Sequence, residues 1–171
     1  MPWSAAPHLL AAPVLEALQH LGAGDEVQVA PIDPALADTA AFCERYGWPP
    51  EKSANCVVVA GRRGELTTHV ACVLLATTRA DVNGFVRRKI DARKASFAPM
   101  DDAVSRTGME YGGITPVGLP ADWPLLVDSA VLDCDQVVVG SGIRGSKLVL
   151  PPELLLQLSG AEACVGLAIA G

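Results

Sequence analysis

Apolar and polar positions along this chain fall into short blocks with two periods. From Pro13 to Leu21 the apolar residues recur at helical spacing, with Pro at the start and Gly22 just beyond the end, which predicts an amphipathic helix. Val27–Ile32 alternates and predicts a strand, and Asp38 is placed to cap a helix through Tyr46, stopped by Gly47 and Pro49-Pro50. Cys56–Ala60 and Leu66–Ala76 read as strands, the second buried on both faces at its centre, joined as a hairpin across Gly61-Arg62-Arg63-Gly64. Asp81–Ile90 predicts a helix, Ala95–Ala98 a short strand, and Asp101 or Asp102 the cap of a helix to Thr107 that Gly108 ends. Leu125–Val131, Gln136–Gly140 and Lys147–Leu150 are expected strands; Pro151-Pro152 begins a helix to about Leu158, and Val165–Ile169 is a last strand.

Strands outnumber helices and several are joined by short turns. The expected class is α+β: a mixed sheet, strongly curved toward a barrel, with helices packed outside it. Neither a repeat nor a compositional boundary interrupts the 171 residues, so residues 1–171 are read as a single domain.

Composition narrows the function classes. Half the residues are hydrophobic and 19% are charged, which excludes a disordered chain. The apolar runs, such as Val70–Ala76, are too short to span a bilayer, and "APHLLAAPVLEALQHLGAG" lacks the basic leading region of a signal peptide. Five cysteines (43, 56, 72, 134 and 164) are scattered without a CxxC, which points to buried thiols in a reducing compartment. His8, His20 and His69 have no ligand spacing with one another or with the cysteines, so no metal site is expected. A net charge of -6 argues against gripping nucleic acid over a wide surface. Arg87, Arg88, Lys89, Arg93 and Lys94 nonetheless crowd one short stretch opposed only by Asp91, either as a solvated helix end or as a local basic face.

The segment "GSGIRG", Gly140–Gly145, matches the glycine pattern of dinucleotide sites. That chemistry needs a helix to begin there, so that its amides meet the pyrophosphate. Here Ser146-Lys-Leu-Val-Leu150 follows, so the glycines read as a hairpin turn presenting Arg144. Other constellations are weak. No GxSxG elbow is present; Asp101-Asp102 reads as capping before an acid pair, His69 as a structural histidine, and Cys56 has no evident cation or base to activate it.

The stretch "YGGITPVG", Tyr111–Gly118, carries three glycines and a proline in eight residues. Gly112 and Gly113 admit positive φ and leave room above their amides, Pro116 fixes its own φ, and Thr115 before it is pushed to an extended shape. A stiff loop with exposed N–H groups can hold a carbonyl oxygen without any ionisable side chain. The same composition also suits an ordinary tight connection.

From about Ser53 to Leu158 the chain resembles the YbaK family of aminoacyl-tRNA deacylases, which includes the editing insertion domain of bacterial prolyl-tRNA synthetases. The resemblance rests on "NCVVVA", "KASFAPMDDAVSRTG", "GGITPVG" and "VVVGSGIRGSKLVLPPELL", in that order. It implies a free-standing, cytoplasmic trans-editing hydrolase that cleaves the ester between a wrong amino acid and the 3′ end of a tRNA. The protein supplies no covalent nucleophile and no cofactor. The backbone of Gly112, Gly113, Ile114, Thr115 and Pro116 positions ester and water, and a ribose hydroxyl of the substrate assists. The family lysine that helps hold the tRNA end falls on Ala54, or on Asn55 with a slip of one. Lys147 is the favoured replacement with Arg144 as second contact, Lys52 the alternative, and Ser141 and Gly142 complete the substrate-binding hairpin. The implied partners are the acceptor end of an aminoacyl-tRNA and, transiently, an aminoacyl-tRNA synthetase, with no membrane. The competing expectation is a module of the same fold that binds an aminoacyl or nucleotide end without turnover.

Overall fold

The computed structural model describes all 171 residues. The elements in chain order are α1 (Ala12–Leu21), β1 (Gln28–Pro31), α2 (Thr39–Tyr46), β2 (Ala54–Arg63), β3 (Leu66–Leu75), β4 (Thr78–Ala80), α3 (Arg87–Lys89), β5 (Lys94–Phe97), α4 (Met100–Thr107), β6 (Leu125–Asp128), α5 (Ser129–Leu132), β7 (Val137–Gly140), β8 (Ser146–Leu150), β9 (Ala161–Cys164) and β10 (Ala168–Ala170). Most lie where the periodicity puts them. The ends of α1, α2 and α4 are set by Gly22, Gly47 and Gly108, each in the left-handed region, and Asp38 caps α2 by accepting from the Ala40 and Ala41 amides.

The strands form a five-stranded sheet in the order β5-β2-β3-β6-β9, a three-stranded sheet β1-β8-β7 and a two-stranded sheet β10-β4. The large sheet is mixed: β2 pairs antiparallel with β3 and β5, whereas β6 runs parallel to both β3 and β9. A bridge between Ser53 and Val138 links the large sheet to the three-stranded one. Each sheet ends in open edges, so the expected barrel-like curvature is not found; the mixed α+β character is.

The core lies on both faces of the large sheet. Along β3, Ala71 and Val73 join Val58, Leu125 and Val127 beneath α1 and the three-stranded sheet. The alternate residues Val70, Cys72 and Leu74 join Val59, Val86, Leu126 and Leu167 on the opposite face. Burial on both faces of β3 is therefore the two-period pattern satisfied twice.

Other expectations need correction. The hairpin turn is Gly64-Glu65, with Gly64 at φ 61°, and β2 runs on through Gly61, Arg62 and Arg63. The strand from Leu125 stops at Asp128, because that carboxylate caps α5 by accepting from Ala130 N at 3.3 Å. Neither Asp101 nor Asp102 caps α4; Pro99 holds that position, and Asp102 binds His69 at 3.0 Å and Arg106 at 2.8 Å instead. Asp81 opens a helical segment, but its first turn, Val82–Val86, is π before α3 begins. The last predicted strand breaks at Gly166, at φ 89°, between β9 and β10.

Candidate active site

The "GGITP" loop and the "GSGIRG" hairpin are built against each other. Gly142 N donates to Gly113 O at 2.7 Å, and Glu110 N donates to Gly142 O at 2.9 Å. The approach leaves no room for side chains: a Cβ on Gly113 would lie 2.7 Å from the Ile143 backbone, and one on Gly140 would lie 2.6 Å from Gly113 O. Gly112 sits at φ 86°, where an added Cβ would run into the Arg144 guanidinium. β7 and β8 pair antiparallel around these glycines, so a strand follows "GSGIRG" and no helix N-terminus is available for a pyrophosphate.

Arg144 braces the loop. Its backbone N–H donates to Glu110 Oε1 at 2.8 Å, its Nε to Pro34 O at 3.2 Å and an Nη to Tyr111 O at 3.0 Å. Thr115 is fully buried and its N–H points to Met109 Sδ at 3.5 Å, so the far end of the loop is anchored in the core. The Gly112 and Ile114 N–H groups donate to nothing within the chain. This rigid frame therefore leaves two amides free beside a cavity of about 270 Å³.

The cavity wall combines several parts of the chain. Gly112 and Ile114 come from the loop, Gly140, Arg144 and Lys147 from the hairpin and β8, and Ala54, Asn55, Cys56 and Val57 from β2. Of the residues singled out in the sequence, Ala54, Asn55, Gly112, Ile114, Arg144 and Lys147 thus converge. Thr115 and Pro116 face away, and Pro116 lines a different, apolar cavity against α1. Ser141 is fully buried and bonded to Ser146, and Gly142 packs on Ala11 and Val14; both support the hairpin from inside. Lys52 lies outside the cavity, because the 3-10 turn Pro50–Lys52 directs it to Asp135 at 2.9 Å.

Lys147 is the buried cation of this wall, only 8% exposed. Its Nζ donates to Ala37 O at 2.9 Å and stands 5.5 Å from the centre of the Phe42 ring. Burial lowers its pKa from the ordinary lysine range. One bond uses one of three ammonium donors. Asn55 is engaged differently, accepting from Thr39 Oγ1 at 2.6 Å. The Cys56 thiol is pushed up by burial and by Cys72, so it lines the cavity as a neutral group and not as a nucleophile. No group of three or more His, Cys, Asp or Glu side chains is arranged around a common metal position.

Sequence reasoning missed Asp38, Thr39 and Tyr111, which also line the cavity. Asp38 is its one carboxylate, and Tyr111 is 56% exposed at its mouth. Asp38 carried only a capping signal and Thr39 none, since the Thr39–Asn55 bond that docks α2 on β2 is a long-range contact. Tyr111 adjoined the glycines and had no signal of its own.

The family model of the aminoacyl-tRNA editing domain matches residues 33–158. EbsC of Enterococcus faecalis, named as a candidate Cys-tRNA(Pro)/Cys-tRNA(Cys) deacylase, is 23% identical over 99 residues. The alignment covers 58% of this chain and 60% of that relative, less than two thirds of its length. The crystal structure of a candidate trans-editing enzyme for prolyl-tRNA synthetase superposes with a TM-score of 0.78 at 21% identity, covering 94% of this chain and 97% of its own. A hypothetical protein of known structure superposes with a TM-score of 0.79 at 20% identity, over 92% of this chain and 99% of its own. These identities establish a shared fold, and the family match adds descent over most of the chain. The chain belongs to the YbaK-type family of aminoacyl-tRNA editing domains.

Proposed function

We propose that this protein is a trans-editing hydrolase, working in the cytoplasm as one domain, that removes a wrongly attached amino acid from tRNA. The observation that carries the reading is the pair of unused amides, Gly112 and Ile114, held rigidly at the cavity wall opposite Ala54–Val57. In this reading the aminoacyl group enters the cavity and its ester carbonyl oxygen accepts from those amides. A water adds to the carbonyl carbon, and the amides stabilise the charge that develops on oxygen. The bond to the ribose oxygen then breaks, giving free amino acid and a 3′-terminal hydroxyl. A ribose hydroxyl of the substrate assists the proton transfer. The protein contributes placement and fixed dipoles, which suits a wall with no activated nucleophile.

Lys147 takes the part of the family lysine, whose position falls on Ala54, or on Asn55 with a slip of one. It meets the terminal phosphate from β8 with its free ammonium hydrogens. Arg144 spends its fork on the Pro34 and Tyr111 carbonyls, and is better suited to bracing the loop than to binding phosphate. Asp38 faces the space where the substrate's α-ammonium would lie. Transient association with a synthetase would deliver the mischarged tRNA.

The test is release of amino acid from a panel of mischarged tRNAs. Turnover above spontaneous hydrolysis on at least one supports the reading; none across a full panel removes it. Asn55 favours a second reading, a binding module without turnover, because that side chain is neutral and already bonded to Thr39. Saturable tRNA binding without release would establish it.

A further inference from the structure

A second cavity, of about 660 Å³, opens at the far end of β2 from the candidate active site. Arg62, Arg87, Arg93 and Lys94 line it with the polar Asn83 and Ser96, and no carboxylate is among its lining residues. None of the four cations forms an ion pair: the salt bridges of the chain are Lys52–Asp135, Arg63–Asp91, His69–Asp102, Lys89–Glu162 and Arg106–Asp102. Two nearby acids are committed elsewhere. Asp91 is taken by Arg63 at 3.0 Å, and Asp81 accepts from the Gly84 and Phe85 amides at 3.1 Å each.

The arrangement is built, and it opposes stability. Arg62 and Lys94 stand directly opposite each other on β2 and β5, where like charges repel across a ladder. Asp91 is the one non-glycine residue at positive φ, 53°, and Arg63 holds its carbonyl at 2.8 Å. Arg93 N then donates to Arg62 O at 2.8 Å, which fixes the two arginines side by side. The π turn Val82–Val86 sets Asn83 and Arg87 on the same cavity. In a chain of net charge -6, four cations without ion-pair partners around one hollow form a local positive field suited to an anion.

We infer that this hollow is a second tRNA site, binding the phosphodiester backbone of the paired acceptor stem. The inference rests on the proposed editing reading for its choice of nucleic acid. Along β2 the first cavity is lined from Ala54 to Val57 and the second by Ala60 and Arg62, so the two linings lie three to eight residues apart, a span of ~10 to ~26 Å at ~3.3 Å per residue. At ~3.4 Å of helix axis per phosphate, that range is about three to eight nucleotides of one stacked strand. A tRNA whose 3′ ester lies against Gly112 thus brings its paired stem, beyond the unpaired tail, to the Arg62 side of the basic hollow. Backbone contact there carries no sequence information and adds affinity equally to ground and transition states.

The experiment compares the whole protein with the triple variant Arg62→Gln, Arg93→Gln, Lys94→Gln. Arg87 is kept, because its Nε donates to Asn83 O within the turn. The first readout is binding of deacylated tRNA against salt, where the log–log slope should flatten by about two to three units. Binding of a four-nucleotide single strand ending in CCA should not change, and the melting temperature should hold or rise as the Arg62–Lys94 repulsion is relieved. With a charged tRNA that turns over, KM should rise with kcat unchanged. An unchanged salt slope for tRNA overturns the inference; so does an equal loss for the tetranucleotide, which would make these residues part of the first cavity. If no charged tRNA is hydrolysed but the slope still flattens, the editing reading fails and the stem site stands.

Discussion

Replacing Gly112 with Ala tests the loop most directly. Gly112 is at φ 86°, and a methyl group there also strikes the Arg144 guanidinium. The backbone strain costs about 1–2 kcal/mol for a residue with a Cβ. Displacing Arg144 from Tyr111 O, now 3.0 Å away, loses a hydrogen bond of about 1 kcal/mol. The sum, about 2–3 kcal/mol, lowers the melting temperature by roughly 4–12 °C in a chain of this size. If the loop amides hold the ester oxygen, turnover falls by about 100-fold or more at a temperature where the variant is folded. The assay is single-turnover release of amino acid from a mischarged tRNA, with folding checked by circular dichroism. Gly22→Ala is the control: at φ 68° with no atom within 4 Å of its Cβ, it carries the same backbone strain at the end of α1. Gly22→Ala should lose stability and keep activity. A folded Gly112→Ala protein that hydrolyses at the wild-type rate would refute the assignment of the loop.

Lys147→Ala should weaken tRNA binding and flatten its salt slope by about one unit. Because the residue is buried and bonded to Ala37 O, it should also cost about 1–3 kcal/mol of stability; denaturant unfolding checks this. Burial lowers the Lys147 pKa, so its charge is lost at a lower pH than that of an exposed lysine. Binding of deacylated tRNA should therefore weaken as pH rises through that depressed value, and Lys147→Arg should keep binding level across the same range. Asp102 has its pKa lowered by the Arg106 hydrogen bond and then by His69. Its stabilising contribution is thus present above the unfolded value of 3.8 and is lost as pH falls through the folded one. Melting curves of Asp102→Asn should lie below wild type at neutral pH and converge with it in acid; a constant gap would contradict the pairing. "GSGIRG" should give no saturable heat with NAD by calorimetry, since β8 and not a helix follows it.

Local chemistry was legible in the sequence wherever one residue decides one backbone state. Gly22, Gly47 and Gly108 end helices through left-handed φ, and Asp38 starts one by accepting two amides. The tight loop and hairpin were legible for the same reason, since glycines that leave no room for a Cβ announce close backbone approach. Distance along the chain hid the rest. Asp102 reads as a cap because it precedes a helical run, yet its partners include His69 from β3. The parallel pairing of β3, β6 and β9 leaves no local mark, so a run of short strands reads equally as a curled sheet or as an open one. The site shows the same division at the level of function. Asn55 and Lys147 belong to strands of different sheets, yet both line one cavity. In the proposed reading, the lysine missing along β2 is replaced across the gap by Lys147 of β8, whose ammonium donates to Ala37 O. What electrostatics requires is a cation at a point in space, and the strand that carries it is free to differ.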